Sequence, residues 1–172
     1  MERHIRFVDV AAIYQYESHP QFMEHYPWTE RKVDEARAFV DMCIAWVNEQ
    51  PRIKFQLVIT SRETGVLIGT CGIRKDVVDS GCADLGFALA VEYWGQGFAT
   101  EAARAMVQFA FENLGVEEVD AICVQANDRS VGVLERLGFG KAECLPKGRG
   151  KDGNIYPERY RFVLHHDQWC GK

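Results

Sequence analysis

Apolar residues recur along this chain with the periods of both helix and strand. From Lys32 to Glu49, Val33, Ala36, Phe39 or Val40, Cys43, Ile44 and Val47 return every three or four residues. That spacing gathers side chains on one face of a helix about five turns long. Three strand-like runs follow, Phe55–Thr60, Val66–Ile73 and Ala83–Val91. The connections Ser61-Arg-Glu-Thr-Gly65 and Asp79-Ser80-Gly81 carry turn residues, so these runs form an antiparallel meander. Beyond them the pattern predicts a helix from about Phe98 to Asn113, a strand near Val119–Val124 and a helix from Asp128 to Leu137. Strands near Phe139–Cys144 and Tyr156–Leu164 complete the chain. Upstream, His4–Phe7 reads as a short first strand and Asp9 as the N-cap of a short helix through Tyr14 and Tyr16. Residues 17–30 read as irregular, because Pro20 and Pro27 interrupt any period. This order places the chain in the α+β class, as one sheet covered by helices. No linker or repeat divides its 172 residues, which suit a single domain over 1–172.

Charge adds a constraint on partners. Twenty Lys+Arg against 25 Asp+Glu leave a net charge of −5, which argues against a general nucleic-acid binder and suits a basic partner such as an amine. The six cysteines, Cys43, Cys71, Cys82, Cys123, Cys144 and Cys170, form no C-x-x-C pair, so neither a zinc site nor a redox motif is supported. The first residues lack the apolar stretch of a secretory signal. No run approaches the ~18 apolar residues of a membrane span. The expectation is a cytoplasmic protein with no membrane partner and reduced, mostly buried thiols.

Candidate chemistry concentrates in the stretch from Gly86 to Ala103, a strand, a turn containing Gly95 and Gly97, and a helix start rich in small residues. The first N–H groups of a helix have no partner within it and carry positive partial charge. Glycines let that backbone approach a bulky anion, which makes the turn a candidate pyrophosphate cradle built from amides rather than from Lys or Arg. Thr100 adds a hydroxyl, while Ala99, Ala102 and Ala103 let the helix lie close to the sheet. No Gly-Lys-Ser/Thr follows, so this is not a Walker A loop, and the third glycine of a Rossmann fingerprint is missing. The competing reading is a tight strand–helix turn with no ligand.

Two segments resemble the GNAT superfamily of acyl-CoA N-acyltransferases. Trp94-Gly95-Gln96-Gly97-Phe98-Ala99 is similar to its Q/R-x-x-G-x-G/A signature. Asn127-Asp-Arg-Ser130-Val-Gly-Val-Leu134-Glu-Arg-Leu137-Gly-Phe139 is similar to its N-x-x-A/S…L-G-F segment. Trp94 stands where Gln or Arg is usual, and Leu134 where many members carry a tyrosine general acid. Both departures resemble the RimJ/RimL-type branch of ribosomal-protein N-terminal acetyltransferases.

The resemblance implies a single mixed, mostly antiparallel sheet of about seven strands, splayed at its centre and flanked by about four helices. It implies acetyl-CoA as co-substrate in the gap between the strand ending near Leu89 and the strand ending near Val124. Pantetheine would add to the edge of Phe87, Ala88 and Leu89 as an extra strand does, with a backbone N–H near Leu89 polarising the thioester. The pyrophosphate would sit on the amides of Gly95, Gln96, Gly97, Phe98, Ala99 and Thr100, and Asn127 would bind pantetheine or hold the splayed strand end. An amine attacks the thioester directly, so no metal and no acyl-enzyme are implied.

With Leu134 unable to donate, Ser130 becomes the candidate general acid, against the alternative of a helix cap. Asp84 is the candidate base, against a solvated-edge role, and Glu92 has the same two readings. Tyr156, Tyr160, the aromatics near Trp28, His19 and His25 are candidates for the acceptor side or for core and cover. His165 and His166 lack a third metal ligand in sequence. Lys147–Gly153 reads as a mobile hairpin loop, either touching the CoA 3′-phosphate or an acidic acceptor, or simply solvated. The expected activity is acetyl transfer to a primary amine at a protein N-terminus. The alternatives are a small-molecule acceptor (polyamine, amino acid or aminoglycoside) and a non-catalytic CoA-binding module. A homodimer is compatible with this reading, and a nucleic-acid partner is not.

Overall fold

The computed structural model describes residues 2–150 and 153–169; Cys170 and, within the loop Lys147–Gly153, residues 151 and 152 lie outside them. In chain order the elements are β1 (Glu2–His4), α1 (Val10–Glu17), α2 (Pro20–Met23), α3 (Val33–Val47), β2 (Lys54–Thr60), β3 (Leu67–Arg74) and β4 (Cys82–Leu89). Then follow α4 (Phe98–Asn113), β5 (Glu118–Val124), α5 (Asp128–Arg136), β6 (Gly140–Leu145), β7 (Gly148–Arg149), β8 (Ile155–Tyr156) and β9 (Arg159–His165). Seven strands form one sheet in the order β1-β2-β3-β4-β5-β9-β6, antiparallel throughout except between β4 and β5, and β7 pairs with β8 as a separate hairpin. This is the mixed, mostly antiparallel seven-stranded sheet that the resemblance implied, with five helices where about four were expected.

Helices cover the sheet unequally. On one face the small and apolar side of α4, Ala102, Ala103, Met106, Val107 and Ala110, packs on Ile68, Ile73, Leu85 and Val119. On the other, α1 and α3 bring Ile13, Ala36, Val40 and Cys43 onto Val58. Val33, expected on the buried stripe of α3, is exposed. Among the described residues no helix is long and apolar enough to cross a membrane.

The centre of the sheet positions the site. β4 pairs with β3 all the way to Leu89, opposite Gly69. β5 pairs with β9 all the way to Val124, opposite Arg159. Between them β4 and β5 share only three rungs, Cys82–Asp84 beside Glu118–Asp120. Beyond Asp84 and Asp120 the two strands part, and a gap opens toward their C-terminal ends.

Several expectations need correction. Asp9 does not cap α1, because its carboxylate binds Arg3 at 2.6 and 2.8 Å and accepts the Arg6 N–H at 2.7 Å. This clasp joins the end of a shorter β1 to a 3-10 turn over Phe7–Asp9. Inside the segment expected to be irregular, Pro20 opens the four-residue α2, where a proline loses no helical hydrogen bond. The final strand is split, with Ile155–Tyr156 pairing to Gly148–Arg149 and β9 starting only at Arg159. Pro157 between them has no N–H to give a ladder.

Candidate active site

The unpaired edge of β4 follows from ladder alternation. Ala90 donates its N–H to Ile68 at 2.9 Å, so Ala88 and Gly86 also face β3, while Phe87 and Leu89 turn their N–H groups toward the gap. The Leu89 carbonyl on that side accepts the Trp94 indole N–H at 2.8 Å. The N–H groups of Phe87 and Leu89 and the carbonyl of Phe87 therefore remain for a strand-like ligand.

A 3-10 turn over Val91–Tyr93 carries the chain from β4 to the glycine loop. Gly95 and Gly97 have φ of +74° and +89°, the left-handed region that side chains avoid. A Cβ at either would meet nothing within 4 Å, so conformation rather than crowding calls for glycine. Gly97 precedes α4 and accepts the Glu101 N–H at 3.0 Å, which leaves the amides of Phe98, Ala99 and Thr100 without helical partners. Phe87, Ala88, Leu89, Gly95, Gly97, Phe98, Ala99, Thr100, Asn127 and Ser130 all line one cleft of about 400 Å³. Gln96 is outside that lining, because its side chain folds back to donate to the Glu92 carbonyl at 2.8 Å.

From the far side α5 faces the same cleft. Asn127 Oδ1 accepts the Ser130 N–H at 3.1 Å, so Asn127 is the cap, and among the described residues the Ser130 hydroxyl takes no partner. Leu134 is 1% exposed in the core, which seals off the position of the usual tyrosine. Two arginines of α5 also line the cleft, and the Arg129 guanidinium lies over the Trp94 ring at 4.8 Å. Beside the loop amides the cleft therefore also carries two cationic side chains, which the sequence reading did not include. The signal was present, since Arg129, Val133 and Arg136 recur at helical spacing, and all three line the cleft.

The structure does not bring Asp84 to the cleft. It lies on the opposite face of β4 from Ala83 and Leu85, which pack against the α4 side. Its Oδ2 accepts from Arg74 Nε at 2.9 Å and from Nη2, while Arg74 Nη1 donates to Gln56 at 2.8 Å. The Glu92 side chain is exposed outside the cleft. Of the acceptor-side candidates, His25 lines the cleft, whereas the His19 ring caps α2 by accepting the Gln21 N–H at 3.3 Å. Tyr160 packs edge-on against Phe162, and Tyr156 lies under Arg159 at 4.4 Å.

The end of the cleft beyond Leu89 is aromatic. Tyr16, Phe22, Tyr26 and Trp28 form a run of ring contacts at 5.4, 4.8 and 4.4 Å, of which Phe22 and Tyr26 reach the cleft. Burial, reinforced by the Glu17 charge, pushes the Tyr26 phenol above its ordinary range, so it stays protonated. Burial also raises the Glu17 carboxyl, against the opposing pull of Arg31, whose Nε donates to it at 2.8 Å.

Comparison with known proteins agrees with this architecture. Residues 3–140 match the acetyltransferase (GNAT) domain family. The chain is 29% identical over 172 residues to the uncharacterized N-acetyltransferase p20 of Bacillus licheniformis, covering 98% of this chain and 94% of p20. Its fold is similar to a spermidine N-acetyltransferase from Vibrio cholerae solved with CoA and spermine (TM-score 0.78, 17% identity, 98% and 96% of the two chains). It is also similar to a ribosomal-protein-S5-alanine acetyltransferase from Vibrio fischeri (TM-score 0.77, 19% identity, 98% and 93%).

Proposed function

This chain belongs to the acetyltransferase (GNAT) family and is an acetyl-CoA-dependent N-acetyltransferase, and from that premise we propose how its cleft works and on what. The observation that carries the proposal is the convergence of three groups on one cleft: the unpaired β4 edge, the loop amides and the uncapped Ser130 hydroxyl. Bound acetyl-CoA supplies the activated acetyl thioester. Phe87 holds its pantetheine by main-chain bonds, which leaves the Leu89 N–H for the thioester, and the amides from Gly95 to Thr100, including the backbone of Gln96, hold its diphosphate.

The Leu89 N–H points at the developing oxyanion as the amine, entering as its free base, forms the new C–N bond. Ser130 delivers a proton to sulfur as the C–S bond breaks and takes back the proton shed by the attacking nitrogen, directly or through water, so that a neutral amide and a thiol leave and the hydroxyl is restored. Asp84 enters the proposal as the partner of Arg74 across β3 and β4, not as the base.

For the acceptor we propose a protein N-terminus, with the chain in the RimJ/RimL-type branch. The aromatic end formed by Phe22 and Tyr26 supports this reading, as does the presence of a single carboxylate, Asp128, among the residues lining the cleft. A polycation is better served by several carboxylates. Titration calorimetry with acetyl-CoA, then thiol release over peptides with free N-termini, spermidine, amino acids and aminoglycosides, tests the proposal. Peptide-dependent release is expected. Release with spermidine alone would move the enzyme to the small-molecule class. CoA binding without any acceptor-dependent release would make the chain a binding module.

A further inference from the structure

The loop amides account for one diphosphate, yet CoA carries a third phosphate on its ribose, and the cleft has charge to spare for it. In a chain with net charge −5, Arg3, Arg31, Arg74 and Arg161 each hold a carboxylate. Arg129 and Arg136 line the cleft, and among the described residues neither has one, Asp128 on the same helix included. Seven residues apart, they stand two turns and about 10 Å apart along one face of α5. Val133 between them faces the same cleft. Arg136 does not extend away. Its Nη1 lies 3.2 Å from where a Cβ on Gly132 would stand, so the guanidinium folds back one turn toward Arg129. Arg129 is braced against the Trp94 ring, which keeps it at the start of the glycine loop.

We propose that Arg136, with Arg129 beside it, forms a second anion subsite that takes the 3′-phosphate of CoA and makes this enzyme select CoA over 3′-dephospho-CoA. The proposal rests on the reading of the cleft as the acetyl-CoA site. A ribose phosphomonoester carries close to two negative charges at neutral pH, and guanidinium forks match its oxygens better than backbone amides do. The division of labour is by charge type: amides at the α4 N-terminus for the internal diphosphate, free guanidinium for the terminal monoester.

Titration calorimetry of wild type, Arg136→Gln and Arg129→Gln with CoA and with 3′-dephospho-CoA tests this by binding alone. Wild type is expected to bind CoA about tenfold tighter than 3′-dephospho-CoA, as one lost charge-assisted contact would give. Arg136→Gln should close that gap to about twofold by losing affinity for CoA while keeping its affinity for 3′-dephospho-CoA, which also reports that the variant folds. Arg129→Gln should narrow the gap less. Equal wild-type affinity for the two ligands overturns the proposal, and so does an equal loss of both in Arg136→Gln, which would put that arginine on the diphosphate. If wild type binds neither ligand, the reading of the cleft itself fails.

Discussion

Replacing Asp84 with Asn separates two roles that differ by orders of magnitude. Asp84 accepts from Arg74, the two side chains are 47% and 26% exposed, and Arg74 keeps Gln56 as a second partner at 2.8 Å. An asparagine retains an acceptor oxygen and loses only the charge of a half-exposed pair, a contribution of about 0.2–1 kcal/mol. In a chain of this size that is at most about 2–4 °C in Tm. Removal of a general base, by contrast, slows turnover about 10²–10⁴-fold. Thermal melts, calorimetry with CoA and steady-state thiol release on one preparation therefore give a clear discrimination. We expect kcat within about threefold of wild type, about 0.7 kcal/mol of barrier, with CoA affinity unchanged. A hundredfold or larger fall in kcat at unchanged CoA affinity would refute the structural role and make Asp84 the base.

Ser130→Ala should lower kcat about 10²-fold or more while leaving CoA affinity intact; an unaltered kcat removes the hydroxyl from the chemistry. Gly97→Ala forces a side chain to φ +89° and should cost about 1–2 kcal/mol in thermal unfolding as well as weakening CoA binding, and an unchanged Tm would contradict the conformational argument. Burial alone would raise the Asp9 carboxyl, but its bonds to Arg3 and the Arg6 N–H outweigh burial and hold it below its ordinary value. Its stabilisation is therefore present above the unfolded-state pKa and is lost as pH falls through the lower folded value. Asp9→Asn should lower stability near neutral pH by about 1–2 kcal/mol and flatten the acid limb of an unfolding-versus-pH curve, whereas an acid limb as steep as wild type would show that Asp9 does not drive it. Burial pushes the Cys43 and Cys82 thiols up to about 12 and Cys123 up to about 11, with nearby Asp120 and Glu118 adding to the effect at Cys82. Among the described cysteines, exposed Cys144 should be alkylated first at pH 8 in peptide mass mapping, and faster labelling of Cys82 would overturn that order.

What could be read in advance divides by range of interaction. The span of α4 was legible to the residue, because Gly97 marks its start and the apolar face runs unbroken to Asn113. The meander was legible from its turns. Asp9 was misjudged because its alternative partner, Arg3, competes only once β1 is docked beside β2. The partner of Asp84 likewise depends on register, since Arg74 meets it only when β3 and β4 align at that rung. Arg129 and Arg136 had helical spacing, but spacing names a face and not what it looks at. The parting of β4 from β5 was implied only by the family resemblance and left no mark in periodicity or composition, because it is an absence of pairing between strands separated by a whole helix.

That parting bears on how the protein breathes. The amides of Phe87 and Leu89 sit in the middle of a seven-stranded sheet, where hydrogen exchange is ordinarily slowest, yet they lack the partner strand that would protect them. Free protein should show fast-exchanging amides at the centre of its sheet, flanked by slow ones on β3 and β9. A bound ligand that supplies the missing rungs would convert them to slow exchange and raise the cost of opening the whole sheet. A ligand bound as proposed would then act as a removable structural strand, and the stability of the folded protein would rise with that ligand's concentration.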